Sequence, residues 1–432
     1  MADHDRAVEP SLWRHGGFLR LWAGQTTSQF GAQLAFLAIP VLAIQLLGAT
    51  EFEIGLLNAF ETAAFLVIGL PAGAWIDRWI KRSVMIVADL VRAIALAAVP
   101  ALWFAGILEF WHVLLVGTVI GAATVFFDVS YQSYLPVLVP GPAIPDANSK
   151  LEGTAQIARV GGPAVAGGLL AIAQAPLLLA GTVGTYLLSM IALLSIRERE
   201  TPAPRSDRRP LVVEIREGVA FVVRQPLLRR IVLTTGVGNL FTTMSLTMLP
   251  VLVLRELGLT PAVFGLATSV GAIGGILGAL AAARLSRVVG EGTIIPVSAV
   301  VLGLALPLAP LMAVLPVAAI PLLIAMELLL SIGVLVYNVA QVSFRQRICP
   351  KPLLGRMNAS IRFFVWGVMP IGALLSGVLA TTLGVVPTMW IGAIGALLSA
   401  GFVVFSPLLG MRKLPAEAQP EVAPSGAGLT EQ

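Results

Sequence analysis

The chain has 432 residues, 57% of them hydrophobic and 12% charged, with a formal net charge of +5 and one cysteine, Cys349. A soluble protein carries roughly 25% charged residues, so a water-facing surface is excluded over most of the length, and one cysteine excludes an internal disulfide. The basic residues sit in short stretches between apolar runs, which reads as a topology signal and not as a nucleic-acid surface.

Residues 1–17 are polar, and no cleavable signal peptide is expected, because the first apolar run is longer than a signal-peptide core. A membrane helix needs about 20 mainly apolar residues. Runs of that kind predict helices over 18–47, 53–76, 83–105, 111–135, 147–174 and 176–196, then 228–255, 261–285, 292–314, 317–345, 354–383 and 385–408. Pro40, Pro71, Pro100, Pro250, Pro307 and Pro370 mark expected bends. The segment 197–227 reads as a linker holding a short amphipathic helix from about Val212 to Val223. The Pro-, Ala- and Gly-rich tail 411–432 reads as disordered. The expected chain is an all-α polytopic membrane protein of twelve helices. It has an N-terminal segment 1–17, six-helix bundles over 18–196 and 228–410, a linker between them and a tail.

Charge asymmetry predicts the topology. With the N-terminus inside, the inner segments hold Arg6, Arg14 and Arg20, then Arg78, Lys81 and Arg82, then Lys150, the run from Arg197 to Arg230, Arg284 and Arg287, the cluster Arg345, Arg347, Lys351 and Arg356, and Arg412 with Lys413. The opposite loops hold Arg255. Both termini are therefore expected on the cytoplasmic side of an inner membrane. The halves also align at an offset of 210 residues: Pro40 with Pro250, Gly48 with Gly258, Gly55 with Gly265, Pro100 with Pro310, Pro140 with Pro350, Asn148 with Asn358, Gly162 with Gly372, and Gly167 with Gly377. Duplicated six-helix halves are a transporter architecture, with the binding site between the repeats.

The segment Gly73 to Arg82 places one acid and three bases at the end of the second helix. Gly73 allows close helix contact, and Asp77 one turn on can face the positive end of a neighbouring helix. Such a group would latch that side; the simpler reading is a positive-inside anchor. The segment resembles motif A of the major facilitator superfamily, through Gly73, Asp77, Arg78, Lys81 and Arg82, with Ile80 as a departure. In the second half Arg287 stands at the place of Asp77, which leaves the latch to the first half.

In the fifth helix, Gly153, Gly161, Gly162, Pro163, Gly167 and Gly168 resemble motif C, the antiporter signature of drug–proton exporters, with Ala166 as a departure. Small residues also simply pack helices. The stretch Asp128–Pro140, with Asp146–Ser149 and Asp89-Leu-Val-Arg92, resembles the transmembrane secretion effector branch, over residues 15–410. That resemblance implies export of siderophores, macrolides or other small molecules, or movement of lysophospholipids. It also implies that Asp128 partners the bases of motif A.

Polar residues inside a bilayer are costly unless paired or facing a cavity. Gln25, Gln29 and Gln33 form a stripe on the first helix, matched at the offset by Thr235, Asn239 and Thr243. They read as two walls of one cavity, or as interhelical hydrogen bonds. Asp89 and Arg92 can pair on one helix face and, with Asp77 and Asp128, read as gate residues. Arg159, roughly 18 Å into its helix at about 1.5 Å per residue, could bind an anionic cargo or offset a carboxylate. Glu61 and Glu327 are the candidates for proton uptake, with Arg362 as a potential partner; internal salt bridges are the alternative. His4, His15 and His112 do not cluster, so no metal and no cofactor is expected, and no Walker A loop is present. The expected function is proton-coupled efflux of a small amphipathic molecule by a monomer in the lipid bilayer. A lipid transporter of the same fold and, more distantly, a transport-inactive receptor or scaffold are the alternatives; no nucleic acid and no enzymatic activity are expected.

Overall fold

The computed structural model describes residues 12–68, 75–76, 79–197, 211–350 and 353–413. Among these the chain is helical, without strands. The first half contains α1 (Gly16–Val41), α2 (Glu51–Val67), α3 (Lys81–Phe104), α4 (Phe110–Leu138), α5 (Ile144–Leu170) and α6 (Ala175–Leu194). The second contains α7 (Pro226–Thr247), α8 (Pro261–Val289), α9 (Ile294–Ala305, resumed as Leu308–Val314), α10 (Ala319–Ile348), α11 (Leu354–Gly367, resumed as Met369–Leu383) and α12 (Val385–Ser399). The linker helix, Leu211–Arg224, lies where the amphipathic pattern places it; residues 198–210 and 414–432 fall outside the described residues. Ten helices among the described residues are long and apolar enough to cross a membrane. The other two are α2, described over 17 residues, and α5, which carries Asp146, Lys150, Glu152 and Arg159.

The helices bend where proline removes an N–H and crowds the preceding turn. α7 breaks at Met248 before Pro250, α9 at Leu306 before Pro307, and α11 at Val368 before Pro370. α1 and α3 run through Pro40 and Pro100 unbroken, and Pro71 is outside the described residues.

The repeat is written into backbone conformation. α1 ends in a π-turn at Leu42–Leu46, and α7 leads into one at Leu252–Glu256, each at the same register of the 210-residue offset. Gly48 and Gly258 follow at φ 63° and 62°, a left-handed conformation that glycine adopts without steric cost. Thr50 and Thr260 then cap α2 and α8: their hydroxyls accept from the N–H of Glu53 and of Val263, at 3.3 Å in both cases.

Packing repeats too. In the first bundle α1 packs on α5 and α6, α3 on α4 and α6, and α2 on α4; in the second, α7 packs on α11 and α12, α9 on α10 and α12, and α8 on α10. The bundles meet along two seams, α5 with α8 and α2 with α11, which exchange under the repeat. Large apolar side chains such as Phe36, Ile94 and Leu280 remain exposed around the outside, a surface that hydrocarbon solvates and water does not. We call the side bearing the start of α1 and the end of α12 the terminal face. There the carbonyls of Met411 and Arg412 accept from Gly292 and Glu291 in the α8–α9 turn.

Candidate functional site

The two seams close tightly at the face opposite the termini. A Cβ at Gly55 would lie 2.6 Å from Gly377 Cα and 2.7 Å from the Ala373 carbonyl oxygen. One at Gly265 would lie 2.2 Å from the Pro163 carbonyl oxygen, and one at Gly167 would lie 2.6 Å from that of Pro261. These are backbone contacts, so the helices touch only because the side chains are absent. Pro163 and Ala373 are equivalent under the repeat, as are Gly167 and Gly377, so the seal is itself two-fold. Ala164 N–H donates to Ser269 Oγ at 2.8 Å across the α5–α8 seam. Arg255 reaches from the second half to Glu51 Oε1 at 3.1 Å and to the Ala49 carbonyl. Of the other antiporter-like residues, Gly162 receives the Gln33 side chain of α1, whereas Gly153 and Gly168 face open space and Gly161 has one ring atom of Phe30 at 4.0 Å. Arg159, one turn before Pro163 on α5, is exposed.

Gly73, Asp77 and Arg78 of the motif A-like segment lie outside the described residues. Lys81 is buried at the first turn of α3. Arg82 donates from Nε to the Leu193 carbonyl at 2.9 Å and from a terminal nitrogen to that of Leu194 at 2.8 Å. It thereby closes the negative end of α6, where the last carbonyls lack helical partners.

Asp89 and Arg92 are buried inside the first bundle, with Arg92 Nη2 2.9 Å from Asp89 Oδ1. The guanidinium carbon lies 4.2 Å from the ring centroid of Phe127 on α4 and 4.9 Å from that of Tyr186 on α6. Asp128 is half-buried, within electrostatic reach of Arg92 and Arg159. The group thus ties α3, α4 and α6 together.

The polar stripes are treated differently in the two halves. Gln25 is buried, and its Oε1 has no hydrogen-bond partner among the described residues; Gln29 and Gln33 are half-buried. Thr235 shares a 2.8 Å hydrogen bond with the Tyr337 hydroxyl, Asn239 donates to the Val365 carbonyl at 3.0 Å, and Thr243 is buried. Thr235 and Asn239 line a cavity of about 540 Å³ between α7, α10 and α11, floored by α9 and α12. Among the described residues its walls come from the second half, and the three glutamines are not among them.

The repeat explains why the cavity is one-sided. At the offset of 210, Asp89 becomes Ala299, Arg92 becomes Leu302 and Tyr186 becomes Ala396, and all three replacements line the cavity. The volume that a buried ion pair and an aromatic ring fill in the first bundle is left open in the second. Arg345, read from sequence as a topology charge, turns inward there and is 9% exposed. A hint was available: its first-half equivalent is Leu135, so a base has replaced an apolar residue. Arg362 lines the same cavity, its guanidinium 4.6 Å from the Trp366 ring centroid, and makes no ion pair with Glu61 or Glu327 among the described residues.

Glu61 and Glu327 occupy one position seen twice. Glu61 on α2 lies against Gly117 and Gly121 of α4, and Glu327 on α10 lies against Gly271 of α8. Under the repeat Glu61 corresponds to Gly271, and Gly117 to Glu327. Each bundle therefore puts one carboxyl into the glycine notch of the same helix pair, contributed by opposite partners. Neither carboxyl has a hydrogen bond or ion pair among the described residues.

Two six-helix membrane bundles that close on each other at one face, with a cavity of mixed polar and apolar lining in the second, have the architecture of a multi-pass membrane transporter. The sequence profile of the transmembrane secretion effector family matches residues 10–425, and the chain belongs to that family, within the major facilitator superfamily. It is similar to the multidrug efflux pump Tap of Mycolicibacterium fortuitum, 26% identical over 409 residues that cover 92% of this chain and 97% of that one. It is similar also to macrolide efflux protein A of Streptococcus pyogenes, 24% identical over 400 residues, covering 92% and 97%. In fold it matches a bacterial homologue of the iron transporter ferroportin in an inward-facing state, with a TM-score of 0.73 at 16% identity over 91% of this chain and 99% of that one.

Proposed function

We propose that the chain exports a small amphipathic organic molecule across the cytoplasmic membrane in exchange for protons, by alternating access. The observation that carries this reading is the seal. Both contacts between the bundles reach backbone-to-backbone distance at the face opposite the termini, and the polar cavity lies away from that seal. Lys and Arg concentrate on the terminal face, which is therefore the cytoplasmic one, and the conformation is closed outward. The bundles 18–196 and 228–410 are the rocking units, and a monomer suffices, since each seam lies within one chain. The pumps named among its relatives support efflux of drug-like molecules.

Glu61 and Glu327 are the proton sites in this reading, because each is an acid in a bilayer-spanning contact without a neutralising partner among the described residues. Cells expressing the chain should extrude at least one member of a panel of anionic, neutral and cationic drug-like fluorophores, and a protonophore should abolish the extrusion. The double variant Glu61→Gln/Glu327→Gln is expected to lose at least about 90% of protonophore-sensitive efflux at unchanged membrane abundance, in line with the roughly hundredfold contribution of a positioned proton-transfer group. Full efflux in the double variant would remove both carboxyls from the coupling mechanism. For the motif A-like latch, Asp77→Asn should slow efflux without reducing insertion; an unchanged rate would sink the latch.

A second reading, movement of lysophospholipid, is favoured by a groove of about 820 Å³ between α3 and α4, lined by Trp79, Val87, Val91, Ala122 and Phe126. Its walls are apolar, as an acyl chain requires. Competition between a spin-labelled lysolipid and the efflux substrate would support this reading, and independence of the two would remove it.

A further inference from the structure

The cavity of the second bundle has a charge pattern that selects its contents. Among the described residues its lining includes two arginines, Arg345 and Arg362, and the amides Asn239, Asn338, Gln341 and Asn358, and no aspartate or glutamate. Arg345 is nine-tenths buried, its Nε has no hydrogen-bond partner, and the guanidinium makes no ion pair among the described residues. A buried cation without a counter-charge is strongly unfavourable, and a bound anion would relieve it. Arg362 stacks on Trp366, which keeps its planar donor edge available for a bidentate contact. The first bundle shows that these charges are not demanded by the fold, because it has Leu135 and Glu152 at the two equivalent positions and fills the space with its own ion pair.

We propose that this cavity binds the acidic group, carboxylate or phosphate, of an amphipathic organic anion on Arg345 and Arg362, with the apolar body against Leu302, Tyr337 and Trp366. A volume of about 540 Å³ lies within the ordinary range for a small-molecule site. The amides supply orienting hydrogen bonds, and the missing carboxylates disfavour cationic cargo. The inference names the cargo class of the export reading and rests on that reading only for what happens after binding.

The test is equilibrium binding to the full chain in neutral-lipid nanodiscs, with 4-(1-pyrenyl)butanoate, the corresponding alcohol and the corresponding amine as a matched set. The butanoate should bind at least about tenfold more tightly than the alcohol or the amine, the lower end of what a charge-assisted hydrogen bond contributes. Arg345→Gln and Arg362→Gln should each abolish most of that preference, and Arg345→Lys should retain part of it. Thermal unfolding of each variant separates lost binding from lost structure. Equal affinity across the set, preference for the amine, or a preference that survives in a folded Arg345→Gln/Arg362→Gln protein would overturn the proposal. Lysophosphatidate competing better than the butanoate would assign the acidic group to a lipid, and the reverse to a soluble amphiphile. Proton-coupled efflux of a cationic drug without anion binding would leave the export reading standing and this inference refuted. Anion binding without efflux would do the opposite.

Discussion

Gly265→Val is expected to cut the efflux rate roughly fivefold to hundredfold while leaving membrane insertion intact. A Cβ at this position would lie 2.2 Å from the Pro163 carbonyl oxygen and 3.0 Å from its carbon, both backbone atoms that cannot rotate away. α8 has no room to retreat. On its other side a Cβ at Gly271, Gly274 or Gly278 would lie 2.9, 2.8 or 2.9 Å from the nearest atom of α10, so that face is closely packed as well. The helix is held between α5 and α10, so an added side chain must part the bundles at the seal. Overpacking of this kind costs about 1–3 kcal/mol, charged here against the outward-closed state alone, which corresponds to a shift of roughly fivefold to hundredfold in its population. Accessibility of a labelling site on the opposite face should rise in step. Gly168→Ala is the control, since nothing lies within 4 Å of its Cβ, and it should transport normally. Normal efflux in Gly265→Val would mean that the seam is not part of the cycle.

The second large effect is expected in the first bundle. Asp89→Ala should destabilise the protein by about 3–5 kcal/mol, because it removes the carboxylate paired with the buried Arg92 and leaves the half-buried Asp128 as the acid within its electrostatic reach among the described residues. The repeat suggests its own remedy. The second half carries Ala299 and Leu302 at these positions, so Asp89→Ala/Arg92→Leu should recover part of the loss by removing both charges together. The recovery should be incomplete, because Phe127 and Tyr186 lose the cation that their rings flank. Thermal unfolding in detergent ranks the three proteins. A single variant as stable as the unmodified chain, or a double variant worse than the single, would contradict this account of the ion pair.

The architecture was legible because its determinants are long-wavelength. Apolar runs of membrane length, and the confinement of Lys and Arg to alternate loops, depend on many residues at once. The matched glycines were legible for a local reason that only the backbone supplies: Gly48 and Gly258 hold left-handed conformations after π-turns, and Gly55, Gly167, Gly265 and Gly377 meet backbone across the seams. The paired threonine caps, Thr50 and Thr260, lay at the same offset and were available to the same comparison. The functional interior was less legible, because it depends on which way a side chain turns. Arg345 and Arg347 are two residues apart near the end of α10. One is buried against the cavity, and the other pairs with Glu291 at 2.6 Å near the surface. Charge counting treats them alike. The glutamine stripe and its Thr–Asn–Thr counterpart match as sequence, yet the cavity lined by Thr235 and Asn239 has none of the glutamines among its described walls, because it is opened by the small residues at 299 and 396 on other helices. The exchange of Glu61 with Gly271 and of Gly117 with Glu327 was likewise hidden, since it appears only when contacts across a helix pair are compared.

The most direct test of the account is a pair of distances measured in one preparation. Spin labels would be placed at Ile172 and Val317, exposed sites in the two halves at the face opposite the termini, and separately at Lys150 and Arg287 near the terminal face, in a Cys349→Ser background. Each pair spans the two bundles, and double electron–electron resonance would follow both across a pH titration with and without an efflux substrate. Rocking about a central site predicts opposite changes: the Ile172–Val317 distance lengthens as the Lys150–Arg287 distance shortens, and substrate moves the pH midpoint of both together. Distances that stay fixed, or that lengthen at both faces at once, would contradict alternating access by these two bundles.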